Sequence, residues 1–346
     1  MASINDPIVQ IKAIELIPPE PTFLYDTLVE DGGAVEEGEV IFDYRKGAID
    51  GMAPFVGEDV GGVPIERKGF ETRHIDFPTL APERIIEKKH IMKRSFGEVI
   101  YGGSSPDQRA KKLMAEDLKF LKSSIRLRLE WMTAELLTTG KLTLPTYTEH
   151  GVLKSSKFAD FGFTNSSTLS ANKWNTSTAD ILGDLDDMYN EVINGLGQVD
   201  MYIMAPNVAE AMMNNETFLK KHDISRAVFG EVKPKYMGVP GVRYIGTNND
   251  GIEMYSYNRT YVNDEGVSQP FIPANSIFAV QRKMFKSMYG PVTMIQKDGE
   301  NFKTYVAPMV PYRNSYADSN TMVQRVISRP ILMPKNVDGW SKRVVL

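Results

Sequence analysis

Four histidines, His74, His90, His150 and His222, are the first residues to weigh for chemistry, because imidazole is the commonest metal ligand and titrates near neutral pH. None stands at the i, i+4 spacing that puts a metal pair on one helix face, so they read as isolated surface or turn residues. The acidic run Asp180, Asp184, Asp186 and Asp187 falls in the first half of a helical pattern and on its polar side. There it is expected to complement the helix dipole and face water. NNDG (248–251) and NDEG (263–266) carry calcium-loop residue types without the rest of the loop spacing, and they read as turns. GGSSP (102–106) opens a helix, a place where an anion can sit, but no GK[ST] follows it. No G-x-G-x-x-G or G-x-S-x-G occurs either, so neither a dinucleotide cradle nor a serine elbow is visible.

The chain has no cysteine, which removes disulfides, thiolate metal sites and thiol nucleophiles together. The expectation is no catalytic residue, no cofactor and no metal site. Two basic stretches with interleaved aromatics have the residue types that meet a phosphate backbone. They are ERIIEKKHIMKRSF (Lys88, Lys89, Lys93, Arg94, Phe96) and QRKMFKSMY (Arg282, Lys283, Phe285, Lys286, Tyr289). Ion pairing within a chain rich in both signs explains them more simply, and a net charge of -4 with a pI near 5.7 gives no overall basic field.

With 346 residues, 42% of them hydrophobic, the chain can bury a large core and is expected to divide into two folding units. No stretch approaches the ~18 apolar residues of a membrane span, and the start lacks a basic, then apolar, leader. A soluble protein of a reducing cytoplasm is expected.

The elements that would have to position any site are legible in part. Asp6-Pro7 starts a short N-terminal arm that Pro18-Pro19 stops, and residues 32–54 are glycine-punctuated and β-like, with Val40, Phe42 and Tyr44 alternating. Ser105 as cap, Pro106 and Asp107 in the first turn and Gly140 beyond the end frame one long helix. Its apolar stripe runs through Leu113, Met114, Leu118, Leu121, Ile125, Leu129, Met132 and Leu136, and at 1.5 Å per residue it is roughly 50 Å long, a spine. Short strands follow, with turns expected at His150-Gly151 and Asn165-Ser166. Residues 177–197 read as an amphipathic helix with Ile181, Leu185, Met188, Val192 and Leu196 inside. VDMYIMAP reads as a buried strand, Asn207 as the cap of a second helix through Leu219, and hairpins are expected at NNDG, NDEG and Asp298-Gly299.

GGVPIERKGFETRHIDFPTL (61–80) reads as two extended runs around Gly69, with Arg67, Lys68 and Arg73 balanced by Glu66, Glu71 and Asp76 and no apolar face wide enough to bury. A two-stranded hairpin is marginal alone in water, and Pro64 and Pro78 keep its edges from indiscriminate pairing. A second copy of the chain is the economical partner. Arg67, Lys68, Phe70, Glu71 and Arg73 are the expected inter-subunit contacts.

Arm, charged hairpin, spine helix, inserted α/β unit and returning β segment, in that order, resemble the tailed-phage major capsid proteins of the Hong Kong 97-type fold, in the lambda-type branch. The resemblance is carried by VNDEGVSQPFIPANSIFAV (262–280), by YVAPMVPYRNSYADSNTMVQRVISRPILMPKNVDGW (305–340) and by MYIMAPNVAEAMMNNETFLKK (201–221). It implies an α+β fold with an N-terminal arm (1–25), a peripheral domain (26–56, 83–171, 291–346), an extended loop (57–82) and an axial domain (172–290). It also implies self-assembly as pentamers and hexamers into an icosahedral shell around double-stranded DNA, through a procapsid that matures. Portal and scaffolding proteins, and in some relatives a decoration protein, would be partners; no membrane would be. With no long helical segment ahead of the arm, scaffolding is expected from another protein. Some relatives cross-link through a loop lysine; the lambda-type branch generally does not, and Lys68 is expected to be an ion-pair residue. An encapsulin-like shell holding cargo, and an unrecognised two-domain hydrolase or transferase, remain as alternatives.

Overall fold

The computed structural model describes residues 7–44, 71–92, 105–147, 153–221, 239–248, 250–263, 266–295, 301–316 and 320–346. Helix α1 (Pro7–Leu16) ends ahead of Pro18-Pro19, and a buried five-residue helix, α2 (Leu24–Leu28), runs into β1 (Val29–Ala34). Strands β2 (Glu39–Tyr44), β3 (Glu71–Asp76) and β4 (Glu83–Glu87) and helix α3 (Lys88–Met92) precede the spine, α4 (Pro106–Thr139).

The spine begins and ends where its local signals place it. Ser105 Oγ accepts from Gln108 N at 3.3 Å while Gln108 Oε1 accepts from Ser105 N at 3.0 Å, a reciprocal cap on the first turn. Gly140 closes it with φ 66°, and a Cβ there would lie 2.1 Å from that of Phe163, so only glycine fits. Leu121, Ile125, Leu129, Met132 and Leu136 are buried, whereas Leu113, Met114 and Leu118 of the same stripe are half-buried.

After the spine come β5 (Lys141–Tyr147), β6 (Leu153–Asp160), β7 (Ser166–Thr168), α5 (Ile181–Asn194), β8 (Met201–Met204), α6 (Pro206–Asn214) and α7 (Glu216–Lys221). Then follow β9 (Val242–Thr247), β10 (Glu253–Tyr257), β11 (Thr260–Val262), β12 (Ser268–Pro270), β13 (Ser276–Val280) and β14 (Phe285–Tyr289). The chain closes with β15 (Val292–Ile295), β16 (Phe302–Tyr305), β17 (Val310–Tyr316), β18 (Thr321–Ile327), β19 (Pro330–Pro334) and β20 (Ser341–Val344).

A six-stranded mixed sheet in the order β7-β20-β13-β8-β10-β9 forms the centre among the described residues. Its inner strands β8 and β13 are buried along their whole length, which is why MYIM and SIFAV are nearly continuous apolar runs. The returning segment divides: β18 lies between β17 and β4, β19 pairs with β14, and β20 enters the central sheet beside β13. Trp340 fastens this last turn to the spine. Its indole stacks on Phe163 at 4.4 Å and its Nε1 donates to the Leu137 carbonyl at 3.0 Å.

Several expectations shift. Helix α5 starts at Ile181, because residues ahead of it fold as turns around the buried Trp174 and Ala179. Leu196 lies past its end with φ 62° and is exposed, not inside. Asn207 does not cap α6: the cap position is Ala205, with Pro206 setting the first turn, and the Asn207 amide pairs with Asn275 ahead of β13. The helix expected through Leu219 breaks at Asn215, whose Oδ1 accepts from Phe218 N at 2.9 Å and so starts α7. NNDG joins β9 to β10, NDEG joins β11 to β12, and β15 pairs with β16 around Asp298-Gly299, which lies outside the described residues, as does His150-Gly151.

The segment 20–29 is clasped by charged side chains from around it. Arg259 reaches Glu20 at 2.7 Å and the Pro21 carbonyl at 3.2 Å, and Arg126 of the spine reaches Asp26 at 2.5 Å and Thr22 at 3.1 Å. Glu130, fully buried, accepts from the backbone N–H groups of Phe23 (3.1 Å), Leu24 (3.0 Å) and Tyr25 (2.7 Å), the free donors of α2's first turn. Lys283 donates to the carbonyls of Asp26 and Val29 at the other end, at 2.9 and 2.6 Å. Tyr257 Oη of β10 completes the joint with a 2.7 Å bond to Glu130, so spine, α2 and central sheet meet on one carboxylate.

Candidate subunit-contact surfaces

The residues weighed first for chemistry do not converge. His74 is exposed on β3, and His90 Nδ1 accepts from Glu87 N at 3.2 Å; His150 and His222 lie outside the described residues. Among the described residues no three His, Asp or Glu side chains are arranged to hold a metal. The acidic run does not simply face water. Asp184 accepts from Trp174 Nε1 at 2.8 Å and, with Glu191, holds the buried Arg343 guanidinium at 3.3 and 2.7 Å. Burial and the neighbouring carboxylates of Asp250, Asp187 and Asp180 push the Asp186 carboxyl above its ordinary range.

The basic stretches are largely internal. Lys89 pairs with Glu87 at 2.6 Å and Arg282 with Glu253 at 2.5 Å; Lys283 caps α2, Phe285 and Tyr289 are buried, and Lys93, Arg94 and Phe96 lie outside the described residues. Ion pairing and burial within the chain therefore account for these described residues, while Lys88 and Lys286 are exposed. Ser105 of GGSSP is occupied by its own cap.

What the surface does offer is a set of two-stranded elements, β2–β3, β5–β6, β11–β12 and β15–β16, three of which carry exposed apolar side chains. Strand β3 pairs antiparallel with β2, Tyr44 opposite Glu71 and Phe42 opposite Arg73. The sequence pairs residues around Gly69 instead. Residues 45–70, and with them Arg67, Lys68 and Phe70, lie outside the described residues; Glu71 and Arg73 are placed on β3. The root is firm: Phe77 is buried, Arg329 donates to its carbonyl at 3.3 Å, and a Cβ on Gly290 would lie 2.5 Å from its ring. Asp76 is ion-paired to Lys157 of β6.

In the β5–β6 hairpin the Leu142–Ala159 pair is buried, while Phe158 next to it is 71% exposed. The β15–β16 hairpin packs its Val292–Tyr305 pair against Ala307 and Val310, while its Ile295–Phe302 pair is 53% and 74% exposed. Val262 and Val267 stand exposed on and beside β11–β12. A cleft of about 680 Å³ lies between residues 76–82, the spine at Ser124, Arg128 and Trp131, and β5 at Thr143–Tyr147. Exposed apolar residues on two-stranded elements that are marginal in isolation are the pattern of surfaces completed by another chain. The sequence exposes the β2–β3 element through its charge balance. Turn residues mark β11–β12 and β15–β16 as hairpins, but no local signal shows that Phe158, Ile295 and Phe302 stay exposed.

The model of the family described as phage major capsid protein E matches residues 9–342. Comparison with curated protein sequences gives no match. Among solved structures, one described as a capsid protein of an E. coli CFT073 prophage is 16% identical, with a TM-score of 0.63 over 97% of this chain and 92% of that one. A phage-related protein from Bordetella bronchiseptica RB50 is 8% identical, with a TM-score of 0.51 over 99% and 98% of the two chains. At such identities these likenesses speak for the fold, which is the α+β Hong Kong 97-type capsid fold expected from the order of elements. With nearly its whole length inside the family model, the chain belongs to the phage major capsid protein E family and is a shell-forming capsid protein of the virion.

Proposed function

We propose that the protein assembles as pentamers and hexamers into a procapsid that matures into the icosahedral shell around double-stranded phage DNA, with no catalytic step of its own. We place it in the lambda-type branch, with residues 172–290 as the axial domain, the β2–β3 element as the root of the extended loop, and the remainder as peripheral domain and arm. Assembly would take place in the host cytoplasm with portal and scaffolding proteins, with or without a decoration protein. No helix among the described residues is long and apolar enough to cross a membrane.

The observation that carries this reading is the recurrence of two-stranded elements with exposed apolar side chains, in a chain of capsid-protein family. On this reading Arg67, Lys68, Phe70, Glu71 and Arg73 lie over the neighbouring subunit, Phe70 as apolar anchor and the charges fixing register. Specific contacts of this kind bury on the order of 1,600 Å² per pair.

Deleting 62–78 is too blunt a test, since it removes β3 and the buried Phe77. Replacing 45–70 by a short turn between the paired residues Tyr44 and Glu71 leaves the root in place. The expected product is a folded subunit or capsomer that closes no shells in electron micrographs; normal shells would refute the role of the loop. Particles with protein cargo, no DNA and no portal vertex would identify a cargo shell instead.

A further inference from the structure

Glu130 has no accessible surface, and each of its four hydrogen-bond partners is a donor: the backbone N–H groups of Phe23, Leu24 and Tyr25 and the hydroxyl of Tyr257. Three of them meet on Oε1 and one on Oε2. The charged groups nearby are committed elsewhere. Arg126, one turn earlier on the spine, holds Asp26 and Thr22, and Arg259, which touches Tyr257, holds Glu20 and the Pro21 carbonyl. The Tyr25 hydroxyl turns away to Tyr289 at 2.9 Å, and Thr133 Oγ1 donates to the Leu129 carbonyl.

An ionised carboxylate accepts all four donors. A protonated one has an O–H that needs an acceptor, and a backbone N–H cannot supply it. Tyr257 Oη alone among the four partners can change from donor to acceptor.

We propose that the Glu130 carboxyl is a proton-sensitive pin between the spine helix, α2 and the central sheet. Ionised, it holds the α2 amides and Tyr257 together; protonated, it donates to Tyr257, reverses that bond and loosens its grip on the Phe23 and Leu24 amides that share Oε1. The proton comes from solvent and stays on the carboxyl, so no other reactant is needed.

Burial raises the affinity of Glu130 for a proton, against the opposing pull of the four donors. Because the folded-state value is raised, the folded chain holds the proton over a pH range where an unfolded chain has lost it. Against global unfolding the site's contribution to stability therefore falls as pH rises through that range, whereas local release of α2 leaves the carboxyl buried without its donors and raises its proton affinity further, so acid favours that release. Acidification accordingly loads the pin before it unfolds the protein. The inference concerns the subunit itself and holds whether or not the shell reading does.

Hydrogen exchange of the full-length protein across mildly acidic pH, expressed as protection relative to the unstructured rate at each pH, tests it. In the wild type, protection at residues 23–25 should fall on the order of ten- to a hundredfold on acidification, the equivalent of one hydrogen bond to a charged acceptor. Glu130→Gln should make protection there independent of pH. Tyr257→Phe, which keeps the carboxyl but removes one of the donors that oppose its protonation, should move the fall to higher pH and remains informative if the glutamine variant does not fold. A wild-type profile flat with pH, or one that Tyr257→Phe leaves in place, would overturn the proposal.

Discussion

The α2 joint and the β15–β16 hairpin place similar apolar residues in opposite circumstances. At the joint, Phe23 packs between the rings of Tyr255 and Tyr257 at 5.6 and 5.3 Å, and charged side chains from the spine and the β13–β14 turn close both ends of a five-residue helix. At the hairpin, Phe302 is exposed although its strand is regular and in register. Burial at the joint is complete within one chain. On the proposed reading, burial at the hairpin comes from a second chain. Stability of the subunit and competence to assemble should therefore be carried by different residues.

The largest effect expected from breaking this comparison is at Phe23. Phe23→Ala removes a fully buried ring from the joint and should cost about 3–5 kcal/mol, read as a fall in the denaturant midpoint of the isolated subunit. Phe302→Ala should change the unfolding free energy by less than about 0.5 kcal/mol, as exposed substitutions do, while reducing the yield of closed particles. Equal destabilisation by the two, or full particle yield from Phe302→Ala, would break the distinction.

A smaller effect tests whether a hairpin root belongs with the joint or with the hairpin ends. Gly290→Ala directs a methyl group to 2.5 Å from the Phe77 ring, at the point where the β2–β3 element leaves the core. Overpacking of this kind costs about 1–3 kcal/mol, so the root should behave as core in thermal unfolding. A neutral outcome would mean that Phe77 moves aside and the root is looser than its contacts imply.

The two regions also differed in how far the sequence alone disclosed them. The spine was legible to the residue, because Ser105, Pro106, Asp107 and Gly140 are local signals acting within a few positions of the helix ends. Hairpins marked by NNDG and NDEG were legible for the same reason. The joint was not, since Glu130 and its partners at 23–25 are more than a hundred residues apart and Tyr257 lies farther still. One signal was present: LEWMTAELL (129–137) is apolar nearly all round, and a charge in such a helix must be buried and must find donors. The place of β20 in the central sheet was hidden likewise, because its pairing with β13 carries no local mark. Of the contact residues chosen from sequence, the strand pairing places Glu71 and Arg73 at the start of a strand whose partner, β2, lies upstream; charge balance indicated extension but could not choose the partner.

The smallest expected effect lies between the two hairpins nearest the cleft. Asp76 and Lys157 join β3 to β6, and the hydrogen bond and charge of Lys157 hold the Asp76 carboxyl below its ordinary range. A depressed carboxyl adds stability above the ordinary aspartate range and loses it as pH falls through the folded-state value, so acid and salt should both weaken this link. Both side chains are more than half exposed, however, and solvent screening leaves such a pair little to contribute to folding. Lys157→Ala should therefore leave the unfolding midpoint of the subunit unchanged at neutral pH and low salt. If the pair instead fixes the angle between two hairpins that meet other chains, the same variant should make assembly less sensitive to salt than the wild type. A subunit destabilised as much by Lys157→Ala as by Gly290→Ala would place the cleft with the core and erase the boundary between folding residues and assembly residues at that edge.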